Sequence, residues 1–186
     1  MSISWISGEV QRLKDKCDET DPFKICRDLG ILVNLERMGN YDGACKGFFI
    51  AQSRIRMITI NADLPDALQG VICAHELGHA VLHAQQAGVN AFHDFSLFDT
   101  ASIKEYEANL FAAEFLMSDE DVMVAELNDD ISFFGAAAQL KVPAELLDFK
   151  FRIMKRKGYK MIDPPLMANS NFLKDVQVTG YGESEY

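Results

Sequence analysis

Cysteine, positive charge and long apolar runs are all in short supply in this chain, and each shortage closes off a class of protein. The four cysteines, Cys17, Cys26, Cys45 and Cys73, stand singly with no Cys-x-x-Cys pair. That spacing argues against both a disulfide framework and a thiolate zinc site, and the four read as small buried hydrophobes. No apolar run approaches the roughly 20 residues of a membrane span. Met1-Ser2-Ile3-Ser4-Trp5 lacks the basic and apolar regions of a secretory leader, so a cytoplasmic protein without a membrane partner is expected. Lys and Arg number 18 against 28 Asp and Glu, a formal charge of −10, which works against general affinity for nucleic acid. The one basic stretch is 141–160, where seven Lys and Arg face only Glu145 and Asp148.

What remains is an ordinary globular composition, 48% hydrophobic and 25% charged over 186 residues, enough for one domain or one with a small appendage. Ile6, Val10 and Leu13 recur at helical spacing, and Asp21-Pro22 offers a cap and a first-turn proline for a short helix ending at Gly30. Three strand-like runs follow, Ile31 to Leu35, Gly47 to Ile50 and Ile55 to Ile60, the last two reading as a hairpin. Pro65 to about Gln86 and Ser102 to Met117 have the periodicity of long helices, and Ser118 with Asp121 caps another. Ile131–Leu140 and Ala144–Lys157 form two helices around a tight turn. The fold class expected is α+β: a small three-stranded, mostly antiparallel sheet packed on the first long helix and those after it, with a helix-turn-helix-like pair at the end.

All four histidines, His75, His79, His83 and His93, fall in or just after His75-Glu76-Leu77-Gly78-His79. On a helix His75 and His79 are about 40° apart in rotation and roughly 6 Å apart along the axis, so both imidazoles reach one zinc ion. Glu76 between them lies where it can accept a proton from water at the metal. A satisfied core histidine accounts for one imidazole, not two at ligand spacing with a glutamate between.

A catalytic zinc needs a third protein ligand and an open position. His83 is badly placed for it: on a straight helix it lies roughly 12 Å along the axis from His75 and about 80° round it. It is expected instead as a buried residue at the helix end. Glu105 and Asn109 share a face of the next helix, so Glu105 can complete a His₂Glu set while Asn109 orients an imidazole. Glu105 also fits a capping box with Ser102, and His93, Asp94 and Asp99 remain alternatives. Glu107 points away from Asn109 and is expected in solvent. His93 or Tyr106 could stabilise an oxyanion.

His-Glu-Leu-Gly-His-Ala-Val-Leu-His, followed by Glu-x-Glu-Ala-Asn-x-Phe-Ala-Ala-x-x-Leu-Met from Glu105 to Met117, resembles the ImmA/IrrE family of metallopeptidases. The likeness extends from Asp21-Pro22-Phe23 to about Gly158, with Ser118 where the family has a proline. It implies a gluzincin-like site with one Zn²⁺ per chain held by His75, His79 and Glu105, and Glu76 as catalytic base. It also implies an anti-repressor from a phage or mobile element, which cleaves or inactivates a helix-turn-helix repressor. Because the chain lacks the helix-turn-helix domain that some relatives carry at their N-terminus, that repressor is expected to be a separate protein.

The resulting reading is a zinc metallopeptidase domain over 1–128, a helical subdomain over 129–163 and a flexible tail over 164–186. A second reading, from a different class, is a non-proteolytic regulatory protein that binds a repressor or DNA and carries a structural or vestigial zinc site. Its basis is the basic helical pair, with Lys150, Arg152, Lys155, Arg156 and Lys157; given the acidic remainder of the chain, a solvated helix face is the better account of that cluster than DNA binding through 141–160.

Overall fold

Two of the helix starts expected from capping residues, at Asp21 and Ser118, are formed by those residues. The structure, a computed structural model, describes residues 1–52, 54–83, 100–126 and 131–176. Helix α1, Ile3–Cys17, is capped by Ser2, whose side chain accepts from the Trp5 N–H, and it buries Ile6, Val10 and Leu13. Asp21 accepts from the Phe23 N–H at 2.9 Å and opens α2, Pro22–Asp28. The chain then reverses at Gly30, where φ is +66°, a left-handed backbone that glycine adopts without steric cost.

Strands β1 (Leu32–Glu36), β2 (Gly47–Gln52) and β3 (Ile55–Asn61) form one sheet in the order β1-β3-β2. The expected hairpin is there: β2 pairs antiparallel with β3, Phe49 opposite Ile58. β1 joins the other side of β3 in parallel, Leu32 opposite Met57. The sheet is thus mixed, because β1 and β2 are separated by the central strand. As the central strand, β3 buries Ile58 and Ile60 completely and Thr59 nearly so.

Asn61 ends β3 and organises the loop before β2 with every polar atom it has. Its Nδ2 donates to the carbonyls of Gly39 and Cys45 at 2.8 and 2.9 Å, and its Oδ1 accepts from the N–H groups of Met38 and Asp63 at 3.2 and 3.0 Å. A fully buried amide with all four bonds made fixes that loop as firmly as a strand pairing would.

Helix α3, Asp66–Leu82, lies under the sheet and is buried along nearly its whole second half. Its last residue is Leu82, four residues short of the expected stop near Gln86, with His83 as the C-cap. Helix α4, Thr100–Leu116, crosses it. The approach is close because Gly78 has no side chain: a Cβ there would lie 3.2 Å from Phe111 Cβ and 3.3 Å from Ala108 Cα. On α4, Ala108, Ala112 and Ala113 are fully buried at the same crossing.

Helix α5, Asp119–Glu126, begins at the expected cap, where the Asp121 N–H donates to Ser118 Oγ at 3.0 Å and that hydroxyl donates to Asp121 Oδ2 at 2.5 Å. Helix α6, Phe133–Gln139, and α7, Ala144–Lys157, form the final pair, followed by the single turn α8, Phe172–Asp175.

Helix α7 is a core helix. Leu146, Leu147, Phe149, Phe151, Ile153 and Met154 belong to the same hydrophobic cluster as Ile6, Ile58, Ile72 and Phe111. Its buried Lys150 reaches Glu114 of α4 at 2.6 Å and Asp119 of α5 at 2.7 Å, and Lys157 meets the same two carboxylates at 2.6 and 2.9 Å. Arg152 pairs with Asp148 at 2.5 Å, and Lys155 with Asp163 at 2.6 Å. Four of the five cations that suggested a basic binding face are therefore paired within the chain. The expected boundary at 128 falls among residues outside the described set.

Residues 164–176, expected as part of a loose tail, are held down. Asp148 Oδ2 accepts from the Ala168 N–H at 2.9 Å, Arg152 donates to the Ala168 carbonyl at 2.8 Å, and Phe172 and Leu173 are buried. The apolar spacing of Ala168, Phe172 and Leu173 is too sparse to announce this in the sequence. Among the described residues no helix is long and apolar enough to cross a membrane.

Candidate metal centre

The i, i+4 spacing on α3 sets the two imidazoles edge to face, centroids 4.8 Å apart, with Nε2 facing Nε2 at 3.1 Å. Glu105 arrives from α4: its Oε2 lies 3.2 Å from His75 Nε2 and its Oε1 3.4 Å from His79 Nε2. Ligand atoms bound tetrahedrally at about 2.1 Å are roughly 3.4 Å from one another, and each imidazole nitrogen has one Glu105 oxygen at about that separation. Two nitrogens and one carboxylate oxygen, all within 4.8 Å of one another, are also the donor set of an open catalytic zinc site. These residues fit a zinc ion.

The surroundings enforce that role. Both histidines are 4% exposed and Glu76 is 8% exposed. Burial pushes the His75 pKa down, but the Glu105 carboxylate more than reverses this and leaves it raised. Burial likewise works to raise Glu105, and the two imidazoles pull it well below the carboxylate range. Glu76 goes the other way: burial raises its pKa, and the nearby imidazoles and a hydrogen bond from the Phe49 backbone only partly oppose that. The two carboxylates beside the histidines are thus driven apart, one to a permanent anion and one towards a group able to gain and lose a proton.

The second nitrogens of the two imidazoles differ in their surroundings. Asn109 Nδ2 donates to the carbonyl of Ser170 at 2.7 Å, which fixes the amide with Oδ1 as the remaining acceptor. Asn109 Oδ1 and His75 Nδ1 are both buried and make no hydrogen bond within normal geometry. They are nonetheless complementary, and a favourable Asn109 interaction contributes to the raised His75 pKa. On the other ligand, His79 Nδ1 lies 3.2 Å from His83 Nδ1, and His83 Nε2 lies 3.0 Å from Glu107 Oε2. The second Glu107 oxygen accepts from the amino group of Met1. Burial pushes the His83 pKa down to about 3.

The structure thus brings together His75, Glu76, His79, Glu105 and Asn109. Helix α4 begins at Thr100, which puts Ser102 inside the helix, not at its cap, and leaves Glu105 to the histidines. Tyr106 faces elsewhere: its ring packs on Phe149 of α7 at 5.5 Å with the Arg152 guanidinium over it at 5.9 Å. His93, Asp94 and Asp99 lie outside the described residues. Glu107 is a correction, 5% exposed where solvent was expected. Helical rotation alone misled there, because α4 is packed by α1, α3 and α7 and has little face left for water. The signal that could have found it was His83 at the end of the preceding helix, a buried imidazole in need of an acceptor.

A helix bearing His-Glu-x-x-His, a carboxylate from the next helix and a buried glutamate beside them define a metallopeptidase-type centre. Residues 26–152 match the peptidase M78 family, described as the IrrE N-terminal-like domain. The chain is also 33% identical over 145 residues, 78% of its length, to uncharacterized immunity region protein 2 of Bacillus phage phi105, 88% of which is covered. The chain belongs to the ImmA/IrrE family of metallopeptidases.

Proposed function

We propose that this protein is a zinc-dependent endopeptidase that cleaves, and so inactivates, a separate helix-turn-helix repressor, acting as an anti-repressor. The observation that carries the proposal is the triangle of His75, His79 and Glu105, with distances of 3.1, 3.2 and 3.4 Å, beside a buried Glu76 of raised pKa. His75, His79 and Glu105 would hold the metal. Zinc in such a site supplies Lewis acidity, polarising a peptide carbonyl and making water a nucleophile near neutral pH.

Glu76 does the proton work. As a carboxylate it accepts the proton of the attacking water and delivers it to the leaving amine nitrogen as the peptide bond breaks. Its raised pKa suits both halves of that transfer, since a carboxylate whose pKa lies nearer the working pH takes up a proton more readily at the base step and can still release it at the acid step. Glu105, held as an anion, cannot exchange roles with it. Asn109 keeps the His75 ring in place. Strand β2 lies at an open edge of the sheet, with the Phe49 backbone close to Glu76, and an extended peptide could pair along it.

The repressor as target is suggested by the phage relative, which is named for an immunity region. The regulatory alternative loses its main support with the basic helix, whose Lys150, Arg152, Lys155 and Lys157 are paired with acidic residues. The test is incubation of the zinc-loaded protein and its Glu76→Gln variant with the repressor encoded beside it. A discrete cut made by the wild type alone supports the proposal. Cutting by Glu76→Gln, or co-purification without any cut, overturns it.

A further inference from the structure

Between the candidate metal centre and the middle of α4 runs a line of three buried side chains: His79, His83 and Glu107 are 4%, 2% and 5% exposed. Their contacts alternate nitrogen to nitrogen at 3.2 Å and nitrogen to carboxylate oxygen at 3.0 Å. A neutral imidazole has one N–H and one lone pair, and which nitrogen carries the proton follows from what each faces.

The assignment can be followed from either end. A His79 that gives its Nε2 lone pair to a metal carries its proton on Nδ1. The atom 3.2 Å away, His83 Nδ1, must then be the acceptor. The His83 proton consequently sits on Nε2, where the Glu107 carboxylate receives it at 3.0 Å. Starting from Glu107 gives the same answer, because a carboxylate accepts and cannot face a lone pair. The opposite tautomer of His83 would place a lone pair against Glu107 and an N–H against His79, driving the His79 proton onto the nitrogen that faces His75 and Glu105.

From this we infer that Glu107 and His83 are positioning residues for the metal centre: a carboxylate–histidine relay that fixes the tautomer and ring orientation of His79 and keeps its Nε2 lone pair aimed at the metal. The common arrangement places one carboxylate or carbonyl directly on the ligand imidazole. Here an extra imidazole is inserted because α3 ends at His83, whose side chain occupies the space between His79 and α4. The arrangement is asymmetric, since His75 has Asn109 in the corresponding place. The inference rests on the reading of His75, His79 and Glu105 as a zinc site.

Two measurements on the full-length protein test it. In the zinc-loaded wild type labelled with ¹⁵N at histidine, long-range ¹H–¹⁵N spectra are expected to show His79 protonated at Nδ1 and His83 protonated at Nε2 alone. A His83 protonated at Nδ1 overturns the relay. In competition with a chelating dye, Glu107→Ala is expected to weaken Zn²⁺ binding by about 10- to 100-fold, and Glu107→Gln, which keeps an acceptor oxygen, by less. Glu114→Gln, on the same helix but in the Lys150 cluster, should lower the melting temperature of the metal-free protein and leave zinc affinity unchanged. Wild-type affinity in a folded Glu107→Ala overturns the relay; if that variant does not fold, the wild-type spectra decide. A wild type that binds no zinc overturns the underlying metal site as well, which separates the two failures.

Discussion

Asn109 donates to the carbonyl of Ser170 at 2.7 Å across 61 residues of sequence, and this bond ties the segment after α7 to the candidate metal centre. It settles which end of the amide faces His75. Asn109→Ala removes the complement of His75 Nδ1 and leaves the Ser170 carbonyl unpaired. The expected result is a zinc affinity about 10-fold weaker together with a loss of about 1–3 kcal/mol of stability, read by dye competition and by denaturant unfolding.

The division of labour between ligand and base predicts a clean separation of two variants. Glu76→Gln should retain one zinc per chain, by metal analysis of the purified protein, and slow substrate cleavage by about 10²- to 10⁴-fold. His79→Ala should come away with little or no zinc. Chelation of the wild type should lower its melting temperature, and a return of zinc should restore it, because a ligand that binds only the folded state stabilises it by mass action.

Gly78 is where packing and chemistry meet. Alanine in a helix interior is ordinarily favoured over glycine by about 1 kcal/mol. Here the added Cβ would press on Phe111 and on the backbone of Ala108 at 3.2–3.3 Å. Gly78→Ala should therefore be net destabilising, by about 1–2 kcal/mol. It should also weaken zinc binding, because separating α3 from α4 withdraws Glu105 from the histidines. Equal or greater stability than wild type in urea unfolding would show that the crossing relaxes freely.

Acid should loosen the join between α4, α5 and α7. Burial works to raise the Glu114 pKa, but Lys150 and Lys157 outweigh it and hold the group below its ordinary 4.5. A depressed folded-state value means the unfolded chain takes up the proton first. The stabilisation is complete above that ordinary value and is lost as pH falls through it and then through the folded value. The melting temperature should thus fall below about pH 5, and Glu114→Gln should flatten that slope and cost on the order of 2 kcal/mol at neutral pH.

Asn61→Ala leaves three polar partners in the loop before β2 and the Asp63 N–H unsatisfied and should cost about 3 kcal/mol. The check is urea denaturation. Asn61→Asp, which keeps the acceptor but loses both donors, should be destabilised as well.

The parts of the fold and site legible in the sequence are those set by local rules. Asp21 and Ser118 announce helix starts because a side-chain oxygen satisfies an N–H two or three residues on. Ile58 and Ile60 mark a buried strand. His75 and His79 mark a metal face because one helical turn brings i and i+4 together. Glu105 was readable as a candidate only because the pair needs a third ligand. Glu107 was misread, and so were the roles of Lys150 and of residues 168–173, because each depends on what lies opposite in space.

The sequence by itself determined the helix carrying His75, Glu76 and His79, the hairpin of β2 and β3, and the family, since these follow from spacing along the chain. Only the tertiary structure decided that Glu105 faces the histidines, that His83 joins His79 to a buried Glu107, and that the basic helix lies in the core with Lys150 neutralised by Glu114 and Asp119. The physical reason is that helical rotation tells which residues share a face, whereas the closeness of two faces depends on packing, here on the missing side chain of Gly78 against α4.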